Sequence, residues 1–259
     1  MNAAHRRVPI VIGSTCAFAL GCDAAFAGPP YLTDDTETPA AGIVEMDITF
    51  AYVRYLRGGS YINTPILQLD YSPTDNIQPG FSVPWTTLLG NNGTEAATGI
   101  GDLDLSCKWR FLDDDPKTWV PAISVTPDLT CPTGDADRGL GSGTWKFAVP
   151  FEFEKSFGDD GQNWVFAEVG LRKWFDGDAS VQMFYGAAIG RNFTSEWSAG
   201  IELNGNHFVS SNPAQVLAVN GVVEYSPSST CTIGLGVGYS ILSSFGPRPF
   251  YQLNIQCFF

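Results

Sequence analysis

Hydrophobic and polar positions alternate along most of this chain. Between Gly101 and Phe111, apolar or aromatic side chains occupy every second position, and charged or small polar side chains occupy the positions between them. Successive side chains of a β-strand point to opposite faces, so this pattern predicts an 11-residue strand with one apolar face and one charged face. Such a strand suits a wall between lipid and water.

The same period-two pattern recurs between clusters of Gly, Pro, Asn and Asp. It predicts about 12 strands, with centres near residues 49, 67, 81, 106, 123, 149, 168, 184, 201, 220, 236 and 253. In the strand near residue 236, Gly234, Gly236 and Gly238 fall on the inner face, where they would leave room in a narrow lumen. We therefore expect an all-β fold, a transmembrane antiparallel up-and-down β-barrel of about 12 strands.

The connections support an even strand count, because outer-membrane barrels have short periplasmic turns and longer extracellular loops. Both termini are then periplasmic. The periplasmic turns should be 72–76, 112–117, 158–162, 191–196 and 226–230, and the two longest connections, 86–100 and 130–142, fall on the extracellular side. Trp residues near the ends of the strands fit membrane interfaces. A soluble β-sandwich, whose strands also alternate, is the alternative.

The last strand runs from Tyr251 to the C-terminal residue, Phe259. Apolar side chains at every second position back from Phe259 are similar to the signal that the barrel-assembly machinery recognises. The residues assigned to this membrane-insertion signal are Tyr251, Leu253, Ile255 and Phe259. Closing a barrel with this strand also removes an exposed edge.

The first residues predict export. A basic start, an apolar stretch and the small-residue pattern Ala25-Phe26-Ala27 form a signal peptide over residues 1–27, cleaved before Gly28. Removing it leaves 12 basic and 26 acidic side chains, a net charge of about −14, which argues against nucleic acid as a partner. We divide the mature chain into a periplasmic N-terminal segment, 28–41, and a barrel, 42–259. The expected location is the outer membrane of a Gram-negative bacterium.

Four cysteines remain after cleavage, too few for a disulfide-built fold of this size. If the last hairpin turns about Ser244, Cys231 lies opposite Cys257 near the periplasmic end. The pair is a candidate disulfide.

Three segments carry a family resemblance: GPPYLTDDTETPAAGIVEMDITFAY at 28–52, TGIGDLDLSCKWRF at 98–111 and CPTGDADRGLGSGTWKF at 131–147. Together, in this order, they resemble the MetA-pathway of phenol degradation family of outer-membrane transporters. Cys107 and Thr130-Cys131 depart from it, since aliphatic residues are expected there. The resemblance implies a barrel that passes small hydrophobic or aromatic molecules. The sequence itself does not identify the cargo.

Strand parity places a set of charged side chains in the lumen, as candidates for selectivity or for salt bridges that brace the barrel. They are Glu45, Asp47, Asp102, Asp104, Lys108, Arg110, Lys146, Glu152, Glu154, Glu168, Arg172 and Glu202. The segment 28–41 carries Asp34, Asp35 and Glu37 without a strand pattern. It is either a plug that folds inward or a plain periplasmic leader.

Catalysis has little support. His207 with Ser210 and Ser211 lacks the His-x-Ser arrangement of barrel phospholipases, because Val209 occupies the matching position. We expect no cofactor, no metal and no enzymatic activity. The sequence therefore favours passive passage of a small-molecule cargo through a barrel embedded in outer-membrane lipid. The alternative is a structural barrel that binds a partner through its long extracellular loops.

Overall fold

A computed structural model of the protein describes residues 30–54, 60–89, 96–158, 161–176, 180–209, 215–244 and 248–259. Within these ranges the chain forms fourteen strand segments and one 3-10 turn, Ala136–Arg138, and no helix there is long and apolar enough to cross a membrane. The predicted signal peptide lies outside them. The strands are β1 Val44–Arg54, β2 Ser60–Tyr71, β3 Ile77–Leu89, β4 Ala97–Ile100, β5 Leu103–Leu112, β6 Ala122–Val125, β7 Asp128–Cys131, β8 Lys146–Phe157, β9 Asn163–Trp174, β10 Val181–Asn192, β11 Trp197–Phe208, β12 Gln215–Ser228, β13 Cys231–Ser243 and β14 Pro249–Phe258.

These segments make twelve barrel strands in the described residues. β4 and β5 both pair with β3, and β6 and β7 both pair with β5 and β8, so each of these pairs is one interrupted strand. Every pairing is antiparallel between neighbours in sequence, and β1 pairs with β14 to close the sheet. A closed sheet leaves no unpaired edge, as a membrane-spanning sheet requires. The predicted fold class is confirmed.

The wall has two interruptions, and each has an identifiable cause. The sequence predicts one strand through Gly101, but β4 ends at Ile100 and β5 begins at Leu103. The Asp102 side chain turns away and accepts hydrogen bonds from the backbone of Gly134 and Ser142, at 3.0 and 2.7 Å. The second break, between β6 and β7, includes Pro127, which has no N–H to donate to the sheet.

The connections follow the predicted alternation in length only in part. The turn predicted at 112–117 spans 113–121 and is longer than every connection at the opposite end except 132–145. The short end of the barrel, where both termini of the sheet lie, has connections 72–76, 113–121, 158–162, 193–196 and 229–230. We call it the periplasmic end. The longest connection, 132–145, lies at the opposite end, which we call the extracellular end. The other long connection, predicted at 86–100, is shorter than predicted. β3 continues to Leu89 and pairs with β4, so only residues 90–96 connect the two strands.

The outer surface of the barrel is apolar. In β5, the side chains of Leu105, Trp109 and Phe111 are 42 to 50 % exposed, and the alternate positions face inward and are more buried. The predicted alternation therefore reflects lipid-facing and lumen-facing sides. Trp164 and Trp174 are exceptions among the tryptophans expected at interfaces. Trp174 is only 1 % exposed, and Trp164 packs on the buried residues of the lumen.

The described part of the N-terminal segment, residues 30–41, lies inside the barrel. Thr38 and Ala41 bond to Asp75 in the periplasmic turn 72–76. From there the segment runs inward to Leu32 and Thr33, whose backbone N–H groups bond to Glu202 on β11. Thr33 is completely buried.

Candidate functional site: a lumen shared with the N-terminal segment

The innermost part of the segment is held by Glu202. Its carboxylate accepts hydrogen bonds from the backbone N–H groups of Leu32, at 2.9 Å, and Thr33, at 2.5 Å. Asn220 on β12 donates to Glu202 at 3.0 Å and to the carbonyl oxygen of Pro30 at 3.1 Å. A chain without secondary structure has no partners of its own for its backbone N–H groups, so the wall supplies them.

Nearer the periplasmic end, two charged wall residues contact the segment. The Lys108 ammonium group on β5 lies 2.9 Å from the Asp34 carboxylate and 3.3 Å from that of Asp35. Glu154 on β8 accepts hydrogen bonds from the backbone and the hydroxyl of Thr36, at 3.2 and 2.9 Å. Together with Glu202, these contacts fix the segment at three heights of the lumen.

Glycines of the wall make room for the segment. A Cβ atom on Gly186 of β10 would lie 1.9 Å from the Thr33 hydroxyl oxygen, and one on Gly234 of β13 would lie 2.4 Å from the Pro30 ring. A Cβ on Gly236 would lie 3.0 Å from the Pro30 carbonyl oxygen. The sequence predicted that Gly234, Gly236 and Gly238 would leave space in the lumen. The N-terminal segment occupies that space at Gly234 and Gly236, and the Phe250 ring fills it at Gly238.

Two apolar clusters pack around the segment. Tyr31 meets the rings of Trp164 and Phe166 edge-on, with centroids 5.4 and 5.1 Å apart. Leu32 packs on a second cluster formed by Val53, Ala218 and Phe250, at the extracellular ends of their strands. Burial of these side chains adds hydrophobic stabilisation to the hydrogen bonds of the docked segment.

A cavity of about 860 Å³ remains beside the segment. Its lining extends from the periplasmic turn 193–196, through mid-wall residues such as Thr126, to Arg172. Among the described residues that line it, eleven are acidic and three are basic, an excess of eight formal negative charges. The acidic ones are Asp34, Asp35, Glu37, Glu45, Asp47, Asp70, Asp104, Asp128, Glu154, Glu196 and Glu224, and the basic ones are Lys108, Arg110 and Arg172.

Burial and electrostatic repulsion raise the pKa values of two acidic side chains of the segment, Asp34 and Glu37. Burial raises the pKa of Asp34 well above its usual range, and Lys108 opposes that rise. Repulsion from Asp35, followed by burial and by Glu154, raises the pKa of Glu37 to about 8. The Glu37 side chain is open to solvent within the cavity, yet the barrel wall surrounds it.

The other charged residues predicted for the lumen have different surroundings. Asp102 holds the extracellular loop, and Arg110 pairs with Asp113 at the periplasmic rim, at 3.0 Å. Arg172 lies over the Phe184 ring, 5.1 Å from its centre. The remaining three, Lys146, Glu152 and Glu168, are buried on the inner face. Glu152 accepts a hydrogen bond from Ser124 at 2.8 Å. Their part in selectivity stays a prediction.

Sequence reasoning missed four acidic residues that line the cavity. Asp128 begins the short strand β7 and Glu196 lies in the turn 193–196, whereas Asp70 on β2 and Glu224 on β12 belong to long strands. Glu224 accepts a hydrogen bond from Ser198 at 2.6 Å. Asp70 and Glu224 lie at inward positions of their strands. Asp70 is two residues from Gln68, and Glu224 is two residues from Val222. Extending the period-two rule through these strands would have found them.

The last hairpin has the predicted register. Cys231 pairs with Cys257, and their Sγ atoms lie 3.4 Å apart as free thiols. Phe259 is 68 % exposed, and its backbone exchanges two hydrogen bonds with Val44 of β1. The disulfide and the insertion signal remain predictions. His207 faces outward, 6.2 Å from the Tyr185 ring, and Ser210 and Ser211 lie outside the described residues.

The fold and the lumen define a class: a twelve-stranded β-barrel of the outer-membrane type, with an apolar outer face and a charged interior that holds part of its own N-terminal segment. Residues 27–252 match the model of the family described as "Putative MetA-pathway of phenol degradation". The chain belongs to this family, as the sequence motifs indicated.

Solved structures show the same fold. The COG4313 outer membrane channel from Pseudomonas putida F1 superposes with a TM-score of 0.71 at 16% identity, covering 87% of this chain and 98% of that one. The NanC porin gives a TM-score of 0.58 at 6% identity, with 82% and 98% covered. The translocator domain of the autotransporter NalP from Neisseria meningitidis gives 0.54 at 6% identity, with 86% and 90% covered. The comparison with curated proteins found no match.

Proposed function

We propose that the protein is an outer-membrane channel through which small molecules diffuse passively, and that residues 28–41 act as its plug. The cavity of about 860 Å³ carries this proposal, because it extends from the periplasmic turns deep into the barrel beside the docked segment. A twelve-stranded barrel is wider than the eight-stranded barrels that side chains fill completely. The lumen therefore has space for both a plug and a path.

The plug is held by bonds that can be exchanged for water. Glu202, Glu154 and Lys108 contact the segment through hydrogen bonds and ion pairs, each worth a modest net free energy once water can replace the partner. Release of the segment would widen the lumen without disturbing the closed sheet. We propose that the segment restricts the size of the solutes that pass.

The family resemblance implies a small hydrophobic or aromatic cargo. The aromatic side chains of Tyr31, Trp164 and Phe166 on the cavity wall support an aromatic cargo, since rings can stack there. The many carboxylates of the same cavity favour a solute that is also polar or charged. We propose a small molecule with both properties in preference to a neutral hydrocarbon.

Liposome swelling with the purified mature protein tests the channel. Proteoliposomes should swell in small sugars, amino acids and water-soluble aromatic amines, faster than protein-free liposomes do. The protein must first be shown to be folded by its resistance to SDS until it is heated. Failure of every small solute to enter, charged, neutral or aromatic, would reject the channel.

A structural barrel that binds a partner is the second candidate. Its support is the ordered extracellular loop 132–145, where Asp102 accepts three hydrogen bonds from Gly134 and Ser142. A rigid loop presents a defined surface to a partner. Asp102→Asn should weaken partner binding without changing solute passage if this function holds.

A further inference from the structure

Three carboxylates form one patch of the cavity wall. Glu45 and Asp47 lie at alternate positions of β1, and Asp70 on β2 is the direct strand partner of Glu45. All three point inward and line the cavity. In the described residues none of them forms an ion pair, and each accepts a hydrogen bond from at least one side-chain amide.

The amide groups add no positive charge to the patch. Gln78 and Gln256 each donate to Glu45 at 2.6 Å, Asn254 donates to Asp47 at 3.1 Å, and Gln68 donates to Asp70 at 2.8 Å. Amides orient carboxylates without neutralising them. Lys108, a cation of the same cavity, pairs instead with Asp34 and Asp35 of the segment.

A buried hydroxyl beside the patch has no hydrogen-bond partner among the described residues. Ser82 on β3 lines the cavity, is only 4 % exposed and pairs in the sheet with Gln68. Its Oγ makes no hydrogen bond within the described residues. Buried hydroxyls are normally hydrogen-bonded, so an unpaired one that faces a cavity marks a position where water or a solute in the lumen completes the bonding.

The groups at this patch are nearly all acceptors. The amide N–H groups are directed at the carboxylates, and carboxylate oxygens can only accept. A solute that bonds here must therefore carry positive charge or donate hydrogen bonds, and an anion is repelled. Rings of Asp and Glu side chains confer the same preference on cation channels.

We propose that Glu45, Asp47 and Asp70 make the lumen selective for cations, and that its preferred solutes are small cations, including protonated amines. This inference rests on the proposed channel function and gives its solute class. The excess of acidic over basic side chains along the cavity extends the same preference beyond the patch.

Reversal potentials measure the selectivity. The purified mature protein is inserted into a planar bilayer under a tenfold gradient of KCl, and the potassium-to-chloride permeability ratio is obtained. We expect a ratio of about five or more, from the interaction of a permeating ion with one unit charge at contact distance in water. Replacing potassium with methylammonium should preserve the cation preference.

Variants assign the selectivity to the patch. The triple variant Glu45→Gln, Asp47→Asn, Asp70→Asn should lower the ratio towards one, and Glu45→Gln alone should lower it partway. If the triple variant does not fold, Glu45→Gln alone still tests whether the patch carries the cation selectivity. Asp137→Asn is the matched control, because Asp137 lies exposed on the extracellular 3-10 turn and its loss should leave the ratio unchanged.

The outcomes separate the two proposals. A wild-type ratio of one or below, with normal conductance, overturns cation selectivity and leaves the channel intact. A wild-type preference that persists in Glu45→Gln and in the triple variant overturns the assignment to these three residues. A folded protein with no conductance for any ion rejects the channel itself.

Discussion

The ammonium group of Lys108 on β5 lies 2.9 Å from the carboxylate of Asp34 in the N-terminal segment. This ion pair joins the barrel wall to the chain inside it, 74 residues away in sequence. Both side chains are largely withdrawn from solvent, at 11% and 7% exposure. Removing one member of such a buried pair is destabilising, because the other charge stays buried without its partner.

Replacement of this lysine should therefore release the segment. In Lys108→Met, Asp34 keeps its buried position without a cation, and breaking a buried pair costs about 3–5 kcal/mol. Protonation of Asp34 will recover part of that cost. We expect higher single-channel conductance and faster proteolysis within residues 30–41. Lys117→Met, which removes a lysine from an exposed periplasmic turn, is the control, and equal conductance in both variants would contradict the role of Lys108.

A bulky side chain on the barrel wall should displace the segment without changing any charge. Gly186→Val places a side chain where Thr33 lies, since its Cβ alone would be 1.9 Å from the Thr33 hydroxyl. The barrel strand itself can accept valine. Conductance should rise several-fold. Gly221→Val is the matched control, because the nearest atom to a Cβ there is 4.0 Å away, and it should conduct like the wild type. A blocked or unchanged Gly186→Val channel would count against the plug.

Glu37 should make docking of the segment depend on pH. Its pKa rises from the ordinary 4.5 to about 8 beside Asp35 and Glu154, although Lys108 and Arg110 lower it. A carboxyl that is more easily protonated in the docked state favours docking at low pH and disfavours it as the pH rises through that interval. Conductance should therefore increase from about pH 5 to about pH 9. Glu37→Gln should remove most of this pH dependence of the conductance. We attribute the remaining pH dependence to Asp34.

The two thiols of the last hairpin can be tested by mass. Cys231 and Cys257 are strand partners with Sγ atoms 3.4 Å apart, in a chain predicted to pass through an oxidising compartment. Cys131 is buried in the folded barrel, so the isolated protein is unfolded without reductant before alkylation. Alkylation should then modify two of the four thiols of the mature chain, Cys107 and Cys131. Reduction should then expose the other pair. Four modified cysteines before reduction would show that no disulfide forms.

The C-terminal residue should matter for assembly more than its neighbour does. Phe259 completes the outer apolar face of the last strand, whereas Phe258 points to the cavity. We expect Phe259→Ser to lower the amount of heat-modifiable barrel in the outer membrane, since it removes the end of the insertion signal. Phe258→Ser should assemble normally. Equal loss in both variants would indicate a general folding defect in β14.

The barrel was predictable from the amino-acid sequence. Alternation between lipid-facing and lumen-facing side chains is a local property of each strand, so it revealed about twelve strands, many of their inward residues and the strand register that places Cys231 opposite Cys257. It did not reveal the break at Gly101–Asp102, because that break depends on bonds from Asp102 to a loop 32 and 40 residues away.

Tertiary structure alone decided where the N-terminal segment lies. Residues 30–41 have no periodicity, and their position depends on contacts such as Leu32 with Glu202, which are 170 residues apart. The inner-face glycines indicated empty space, but only the folded wall shows which chain fills it. Likewise, alternation placed Glu45 and Asp47 inside, whereas the closed barrel determined that amides, and not cations, contact them. Long-range pairing is the physical reason, since a local pattern fixes the direction of a side chain and not its partner.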